Sequence, residues 1–244
     1  MTHGHGNGSG ADFRSALYAR YVSTFKASQG ADSFAWWDHK YLPLLRDLAR
    51  DARILEIGCG SGGLLAYLAR RGFSHARGID ISAEQVALAQ ARGAHVQQAD
   101  AFEFLQYHRE TFETLIAVDV LEHFSREELL RLARLVHAAL RPGGRVLVQT
   151  ANGAGLFPGQ VIYGDLTHLT IFTPESLAQL LVGADFTGLR FFETGPIPLR
   201  VRGKLNVGIW RAVTSLASAV RQVETGKRQH IWTENFICLA RKPA

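Results

Sequence analysis

Residues 54–63 read Ile54-Leu55-Glu56-Ile57-Gly58-Cys59-Gly60-Ser61-Gly62-Gly63, and the reading of this stretch decides the fold. Its first four residues are a short buried-strand signal, and the glycine run after them opens a helix that continues through Arg71. Glycines at a strand-to-helix turn let a ligand approach the backbone closely, while the helix N-terminus presents unsatisfied N–H groups. A tight turn without a ligand fits the same pattern, so the loop needs support from its surroundings.

Downstream, Ala76 to Asp80 is a second strand and Ser82-Ala83-Glu84-Gln85 opens a helix in the manner of a capping box. His95 to Ala99 is a weaker third strand, followed by a helix from about Ala101. Phe112 to Val118 is a fourth strand, and Arg126 to Leu140 is a helix stopped by Arg141-Pro142-Gly143-Gly144. Arg145 to Thr150 is a fifth strand. Strands alternating with helices of this length imply βαβ units, a mostly parallel sheet covered on both faces, and ligands bound outside the carboxyl ends of the strands. The remainder predicts a helix from Pro174 to Leu181, a strand around Leu189 to Glu193, a helical segment from about Lys204 to Gln222, and a final strand from Ile231 to Ala240. Upstream, Phe13 to Lys26 and Phe34 to Arg50 carry apolar residues at helical spacing and read as an N-terminal helical cap.

Asp80 ends the second strand, 22 residues beyond Gly58, where a carboxylate can accept hydrogen bonds from both hydroxyls of a ribose. Loop and acid together point to an adenosine-type ligand. The run Gly58-x-Gly60-x-Gly62 fits the dinucleotide spacing G-x-G-x-x-G poorly. With Glu56 ahead of it, the loop instead resembles the first motif of class I S-adenosylmethionine-dependent methyltransferases.

That resemblance extends over about 100 residues. Gly78-Ile79-Asp80-Ile81-Ser82 resembles the family's ribose-binding motif, and Ala99-Asp100-Ala101 its adenine-binding motif. Asp119-Val120-Leu121-Glu122-His123-Phe124 resembles the fourth motif, and Leu140 to Arg145 the turn before strand five. The resemblance implies a Rossmann-like, seven-stranded, mostly parallel sheet with helices on both faces and a helical insertion before the last strand. It implies cofactor contacts at Glu56, Gly58, Cys59, Gly60, Asp80, Ile81, Asp100, Ala101, Asp119, Val120 and Leu121. Bland readings stand beside these: Asp100 also suits a helix N-cap, and residues 119–123 a packed strand end. The chain then divides into a disordered tail over 1–12, the cap over 13–50, and a methyltransferase domain over 51–244 with a lid-like insertion at about 200–228.

Methyl transfer to a hydroxyl needs a route for the proton. His168, in the polar run Tyr163-Gly164-Asp165-Leu166-Thr167-His168, is the expected base, with Asp165 orienting its ring; a histidine that only fixes the loop is the competing reading. Asp119, Glu122 and His123 have an i, i+3, i+4 spacing that in ubiquinone-biosynthesis O-methyltransferases goes with a divalent cation. That cation is the less favoured reading here, since a histidine after a strand also serves as a contact to cofactor or substrate.

The run Thr167-His168-x-x-x-Phe172-x-Pro174-Glu175 resembles both that ubiquinone branch and methyltransferases of bacterial surface-polysaccharide and O-antigen synthesis. Asp38-His39-Lys40-Tyr41-Leu42-Pro43, Glu193-Thr194-Gly195-Pro196, Val223-Glu224-Thr225-Gly226 and Thr233-Glu234-Asn235-Phe236 look closer to the second. The acceptor implied is a sugar or lipid-linked saccharide, with a phenol or natural product as the near alternative. His123, Trp36, Tyr163 and Arg200 are the expected acceptor contacts. Phe34, Trp36, Trp37, Phe157 and Tyr163 could line a flat pocket, although core packing explains most of them.

The 244 residues, 47% hydrophobic and 20% charged, have the composition of a globular chain of about one domain. No apolar run reaches the roughly 18 residues of a spanning helix, and MTHGHGNGSG lacks a signal-peptide core, with metal binding by His3 and His5 disfavoured. Two cysteines suggest a reducing, cytoplasmic setting. The net charge of +5 is local: residues 196–230 hold seven Lys/Arg and one Glu, which leaves the remainder near −1. An RNA methyltransferase or an inactive scaffold are therefore the weaker readings, and no stable nucleic-acid binding is expected. The basic segment instead suggests contact with phosphate on the acceptor or with the periphery of an anionic membrane.

Overall fold

The computed structural model describes residues 33–244. The tail expected over 1–12, with His3 and His5, and the helix expected from Phe13 to Lys26 lie outside the described residues.

Seven strands are present among these residues: β1 (Ile54–Ile57), β2 (Ala76–Asp80), β3 (Val96–Gln98), β4 (Phe112–Val118), β5 (Leu140–Ala151), β6 (Thr187–Glu193) and β7 (Asn235–Arg241). They form one sheet in the order β3-β2-β1-β4-β5-β7-β6. The first five pair in parallel, while β7 runs antiparallel to both β5 and β6. The helices are α1 (Ser33–Lys40), α2 (Leu42–Leu45), α3 (Gly63–Arg70), α4 (Ala83–Ala91), α5 (Ala101–Gln106), α6 (Arg126–Ala139), α7 (Pro158–Tyr163), α8 (Pro174–Val182) and α9 (Arg200–Thr225).

Successive strand side chains point to opposite faces, so each inner strand supplies both halves of the core. Leu55, Leu115, Ala117, Val146, Val148 and Cys238 pack on one face with Leu129, Leu132 and Val136 of α6 and Leu177 and Leu181 of α8. Ile54, Ile116, Leu147, Ile237 and Leu239 pack on the other with Trp37, Tyr41, Leu44 and Leu45 of α1 and α2 and Leu64, Tyr67 and Leu68 of α3.

The expected helix from Phe34 to Arg50 is broken in two. Pro43 lies in the first turn of α2, where its missing N–H costs nothing but where it cannot continue a preceding helix. Asp47, beyond α2, pairs in bidentate fashion with the buried Arg145 of β5 at 2.6 and 2.8 Å. The turn expected at residues 141–144 is a bulge within β5, because Phe112 pairs with Leu140 and Thr114 next pairs with Arg145. The insertion helix is longer than its apolar spacing indicates, and it ends where Gly226 adopts a left-handed φ of 71°.

Candidate active site

The carboxyl ends of β1, β2 and β4 open into a cleft of about 930 Å³. Gly58, Gly60, Asp80, Ile81, Asp100, Ala101, Asp119 and Val120 line it, as does His123. The glycine loop has left-handed backbone, with φ of 65° at Gly58 and 52° at Gly60. A Cβ at Gly58 would lie 2.5 Å from Val120 Cγ2, so only glycine permits this approach. At Gly60 a Cβ would meet nothing closer than Gln85 Oε1 at 3.8 Å, which leaves its backbone open to a ligand.

Asp80 fastens this loop to the next helix. Its Oδ2 accepts from the Gly60 N–H and its Oδ1 from the Ser82 N–H, both at 2.8 Å. A carboxylate has about four lone-pair sites, so Asp80 retains capacity toward ligand hydroxyls. Asp100 is the N-cap of α5: Oδ1 accepts from Phe102 N at 2.8 Å and Glu103 N at 3.2 Å. Capping uses only one oxygen, and the residue still lines the cleft.

Three expected contacts lie beneath the cleft instead of on its wall. Cys59 is buried, and the side chain a residue at 78 would need to accommodate is Cys59 itself, whose Cβ is 2.6 Å from a Cβ built on Gly78. Leu121 is part of the apolar core. Glu56 is 3% exposed; burial raises its pKa well above the ordinary value, and the nearby Asp80 charge adds to this. Its Oε2 has no hydrogen-bond partner. A buried carboxylate oxygen without a donor fits a cationic group entering beside the loop.

Asp119 follows β4 with a φ of 53° and is held by its N–H to the Gln149 carbonyl at 3.0 Å. Its carboxylate accepts from Gln149 Nε2 at 3.2 and 3.3 Å and from Asn235 Nδ2 at 3.1 Å. Gln149 in turn accepts from the Tyr41 hydroxyl at 3.1 Å. Gln149 and Asn235 both line a second cleft, of about 940 Å³, with Trp36, Phe157, Trp210 and Trp232. Asp119 is thus the wall between the two clefts.

His123 and His168 stand with ring centroids 5.0 Å apart. The Thr167 hydroxyl donates to Asp165 Oδ1 at 2.6 Å, so it accepts from His123 Nδ1 at 2.9 Å; the Thr167 carbonyl lies 3.2 Å from the same nitrogen. His168 Nδ1 lies 2.8 Å from the Val161 carbonyl. Both rings carry their proton on Nδ1, and Nε2 is the basic nitrogen of each. Asp165 Oδ1 also accepts the Thr167 N–H at 2.8 Å in a local turn, which links Asp165 to His123 through Thr167, while the Val161 carbonyl faces His168 Nδ1.

Glu122 is 1% exposed and accepts from the Thr150 hydroxyl at 2.9 Å. Burial, with Asp119 nearby, pushes its pKa up to about 8. Asp119, Glu122 and His123 turn to different partners, and no metal-holding group of His, Cys, Asp or Glu occurs among the described residues.

Of the acceptor contacts expected from sequence, Trp36 lines the second cleft and His123 the first. Tyr163, 83% exposed, and Arg200 at the start of α9 lie on the surface outside both clefts. Phe157 lines the second cleft, whereas Phe34 and Trp37 belong to the core. Gln149 and Trp210 carried no signal in sequence, because the partners that place them, Tyr41 and Asp119 for Gln149 and Glu193 for Trp210, lie well apart in the chain.

A model of the methyltransferase-domain family matches residues 31–190. The ubiquinone biosynthesis O-methyltransferase of Aeromonas salmonicida is 28% identical over 193 residues, covering 64% of this chain and 80% of that relative. A SAM-dependent methyltransferase from Archaeoglobus fulgidus superposes with a TM-score of 0.64 at 16% identity, over 93% of this chain and 99% of the other. Haemonchus contortus phosphoethanolamine N-methyltransferase 2, in complex with S-adenosyl-L-methionine, superposes with a TM-score of 0.64 at 17% identity, over 98% of this chain and 61% of the other. At these identities the two structures speak to the fold.

Proposed function

Because the chain belongs to the methyltransferase-domain family and is a class I enzyme using S-adenosylmethionine, we propose that it methylates a hydroxyl group, with the cofactor in the first cleft and the acceptor in the second. When bound, S-adenosylmethionine supplies a sulfonium methyl for in-line transfer.

The residues divide the work. The backbone at Gly58 and Gly60 receives the methionine portion, and the orphaned oxygen of Glu56 balances its ammonium group. Asp80 holds the ribose hydroxyls, with Ile81 beside it, while Asp100 and the Ala101 N–H take the adenine edge. Asp119 and Val120 close the wall toward the acceptor.

The observation that carries O-methylation is the imidazole pair. Each ring is fixed through Nδ1, and Nε2 is the nitrogen that would take the proton as the acceptor oxygen forms its bond to the methyl carbon and the carbon–sulfur bond breaks. His123 lines the cofactor cleft and His168 packs against it.

For the acceptor, the reading is a saccharide, free or lipid-linked, in a cytoplasmic or membrane-peripheral setting. Aromatic faces at Trp36, Phe157, Trp210 and Trp232 alternate with hydrogen-bonding groups at Gln149, Thr194, Thr233 and Asn235, a combination suited to the apolar faces and hydroxyl rim of a sugar ring. A phenol is the second reading, favoured by the identity to a ubiquinone biosynthesis O-methyltransferase. Methyl transfer from radiolabelled cofactor to panels of nucleotide sugars, lipid-linked glycans and catechols tests both. Turnover on a saccharide panel alone supports the first, and turnover on catechols alone transfers the assignment to the second. Methylation confined to amines would overturn O-transfer.

A further inference from the structure

The insertion helix α9 packs inward with an unusual face and exposes an unusual face. Its half-buried positions are Gly203, Val207, Trp210, Thr214, Ala217 and Ser218, mostly small or polar. Polar bonds do much of the fastening: Trp210 Nε1 donates to Glu193 Oε2 at 3.0 Å, the Ser218 hydroxyl donates to the Gln229 carbonyl at 2.8 Å, and Trp232 Nε1 donates to Ser218 Oγ at 3.0 Å.

The outward face is the apolar one. Leu205, Ile209, Val213, Leu216 and Val220 follow at i+4, i+4, i+3 and i+4, and they are 62, 54, 45, 68 and 61% exposed. With Val201 and Val223 at its ends, the stripe extends about 33 Å along the helix axis at 1.5 Å per residue. A contiguous apolar surface of this length on a described outer face requires an occupant.

Charge selects among occupants. Arg202 lies within the stripe, Lys204 and Arg211 on the flank between it and the packed face, Arg221, Lys227 and Arg228 near its end, and Glu224 is the one acid between residues 196 and 230. A second copy laid along the stripe would set like charges against each other. The segment from Phe13 to Lys26 carries Arg14, Arg20 and Lys26 without an acid, so it brings the same sign. An apolar stripe flanked by base matches a surface that is apolar below and anionic above. No helix among the described residues is long and apolar enough to cross a membrane, which fits a helix lying in the interface plane.

We propose that α9 is a docking helix for an anionic lipid bilayer, its stripe entering the headgroup boundary while Arg202 within it, and Lys204 and Arg211 extending from its flank, meet lipid phosphates. Trp210, on the inward side of the same helix, lines the second cleft, so docking places that cleft beside the bilayer surface. The proposal does not depend on the identity of the acceptor.

Flotation of the full-length protein with vesicles tests it. Vesicles of phosphatidylglycerol and phosphatidylcholine should carry the protein, those of phosphatidylcholine alone should carry little, and added salt should release it. Ile209→Glu with Leu216→Glu should lower partitioning at least tenfold, and Lys204→Gln with Arg211→Gln about fivefold per charge. S-adenosylhomocysteine affinity, read by calorimetry, should be unchanged in both, which separates lost docking from lost fold. Equal flotation of wild type and the Ile209/Leu216 variant overturns the proposal. So does a dimer in sedimentation velocity that the same variant dissociates, or a cross-link from α9 to residues 13–26 in a chain that ignores vesicles.

Discussion

Asn235 Nδ2 donates to Asp119 Oδ1 at 3.1 Å, joining the first residue of β7 to the residue that follows β4. Since Asp119 lines one cleft and Asn235 the other, this bond is a shared boundary for two ligands. Asn235→Ala should lower stability by about 1 kcal/mol in urea unfolding, the net worth of a typical hydrogen bond at an exposed position. It should also impair turnover more than cofactor affinity. Unchanged turnover with intact folding would detach Asp119 from acceptor positioning.

Asp80 is fixed by two backbone N–H donors before any ligand arrives. Asp80→Ala frees the Gly60 and Ser82 amides and removes the ribose acceptor together, so S-adenosylhomocysteine should bind at least about tenfold more weakly, one hydrogen bond to a charged group being worth about 1.5–3 kcal/mol. Calorimetry decides this, and a wild-type Kd would remove Asp80 from the cofactor site.

The imidazole pair should govern the pH dependence of kcat. Loss of a general base typically costs about 10²–10⁴-fold. His123→Ala and His168→Ala should therefore separate the base, with the larger loss and an altered rise of kcat with pH, from a supporting ring. Thr167→Val, which deletes the hydroxyl between Asp165 and His123, should shift the His123-dependent limb alone. If both histidine variants keep wild-type kcat across pH, the proton leaves by another route.

Glu122 should weaken the fold as pH rises. Its native pKa is about 8, whereas an unfolded glutamate titrates near about 4.3. Between those values the native state holds a proton that the unfolded state releases, so stability falls with increasing pH until Glu122 has ionised in both states. Glu122→Gln should be more thermostable than wild type by a margin that grows between about pH 4 and about pH 8 and then levels. A constant margin across this range would assign the proton elsewhere.

Asp47 should act in the opposite direction. Hydrogen bonding to Arg145 holds its pKa down to about 2, so it stabilises the fold above the unfolded value near about 3.9 and loses this as pH falls. Asp47 is half exposed, and solvent screening limits the effect to roughly 1 kcal/mol or less. Asp47→Asn should accordingly be less stable than wild type near neutrality, by roughly 1 kcal/mol or less, with the difference closing between about pH 4 and about pH 2.

The cofactor side of the site was readable in sequence because it is local. Gly58, Gly60, Asp80 and Asp100 each lie at a strand end, and strand ends follow from hydrophobic pattern and glycine placement. The acceptor side was not, because Gln149, Trp210, Trp232 and Asn235 meet only after β7 inserts between β5 and β6. Asp165 was legible as a neighbour of His168, but its bonds to Thr167 were not, since an aspartate's reach to the amide two residues on is set by a local turn that the sequence does not announce. Strands β1, β2 and β4 have their expected bounds, whereas β5 begins five residues early and β7 four residues late, and α9 ran past both ends of its apolar spacing because exposed ends leave no burial pattern.

The position of β7 also orders the assembly of the molecule. Among the described residues β6 pairs with β7 alone, and β7 is separated from it in the chain by all of α9, whereas β1 to β5 already form a continuous parallel array. A nascent chain can close the cleft at the ends of β1, β2 and β4 while the tryptophan-lined cleft still lacks Trp232 and Asn235. In chain order the lining of the first cleft is thus complete by Phe124, whereas that of the second is complete only when β7 begins at Asn235.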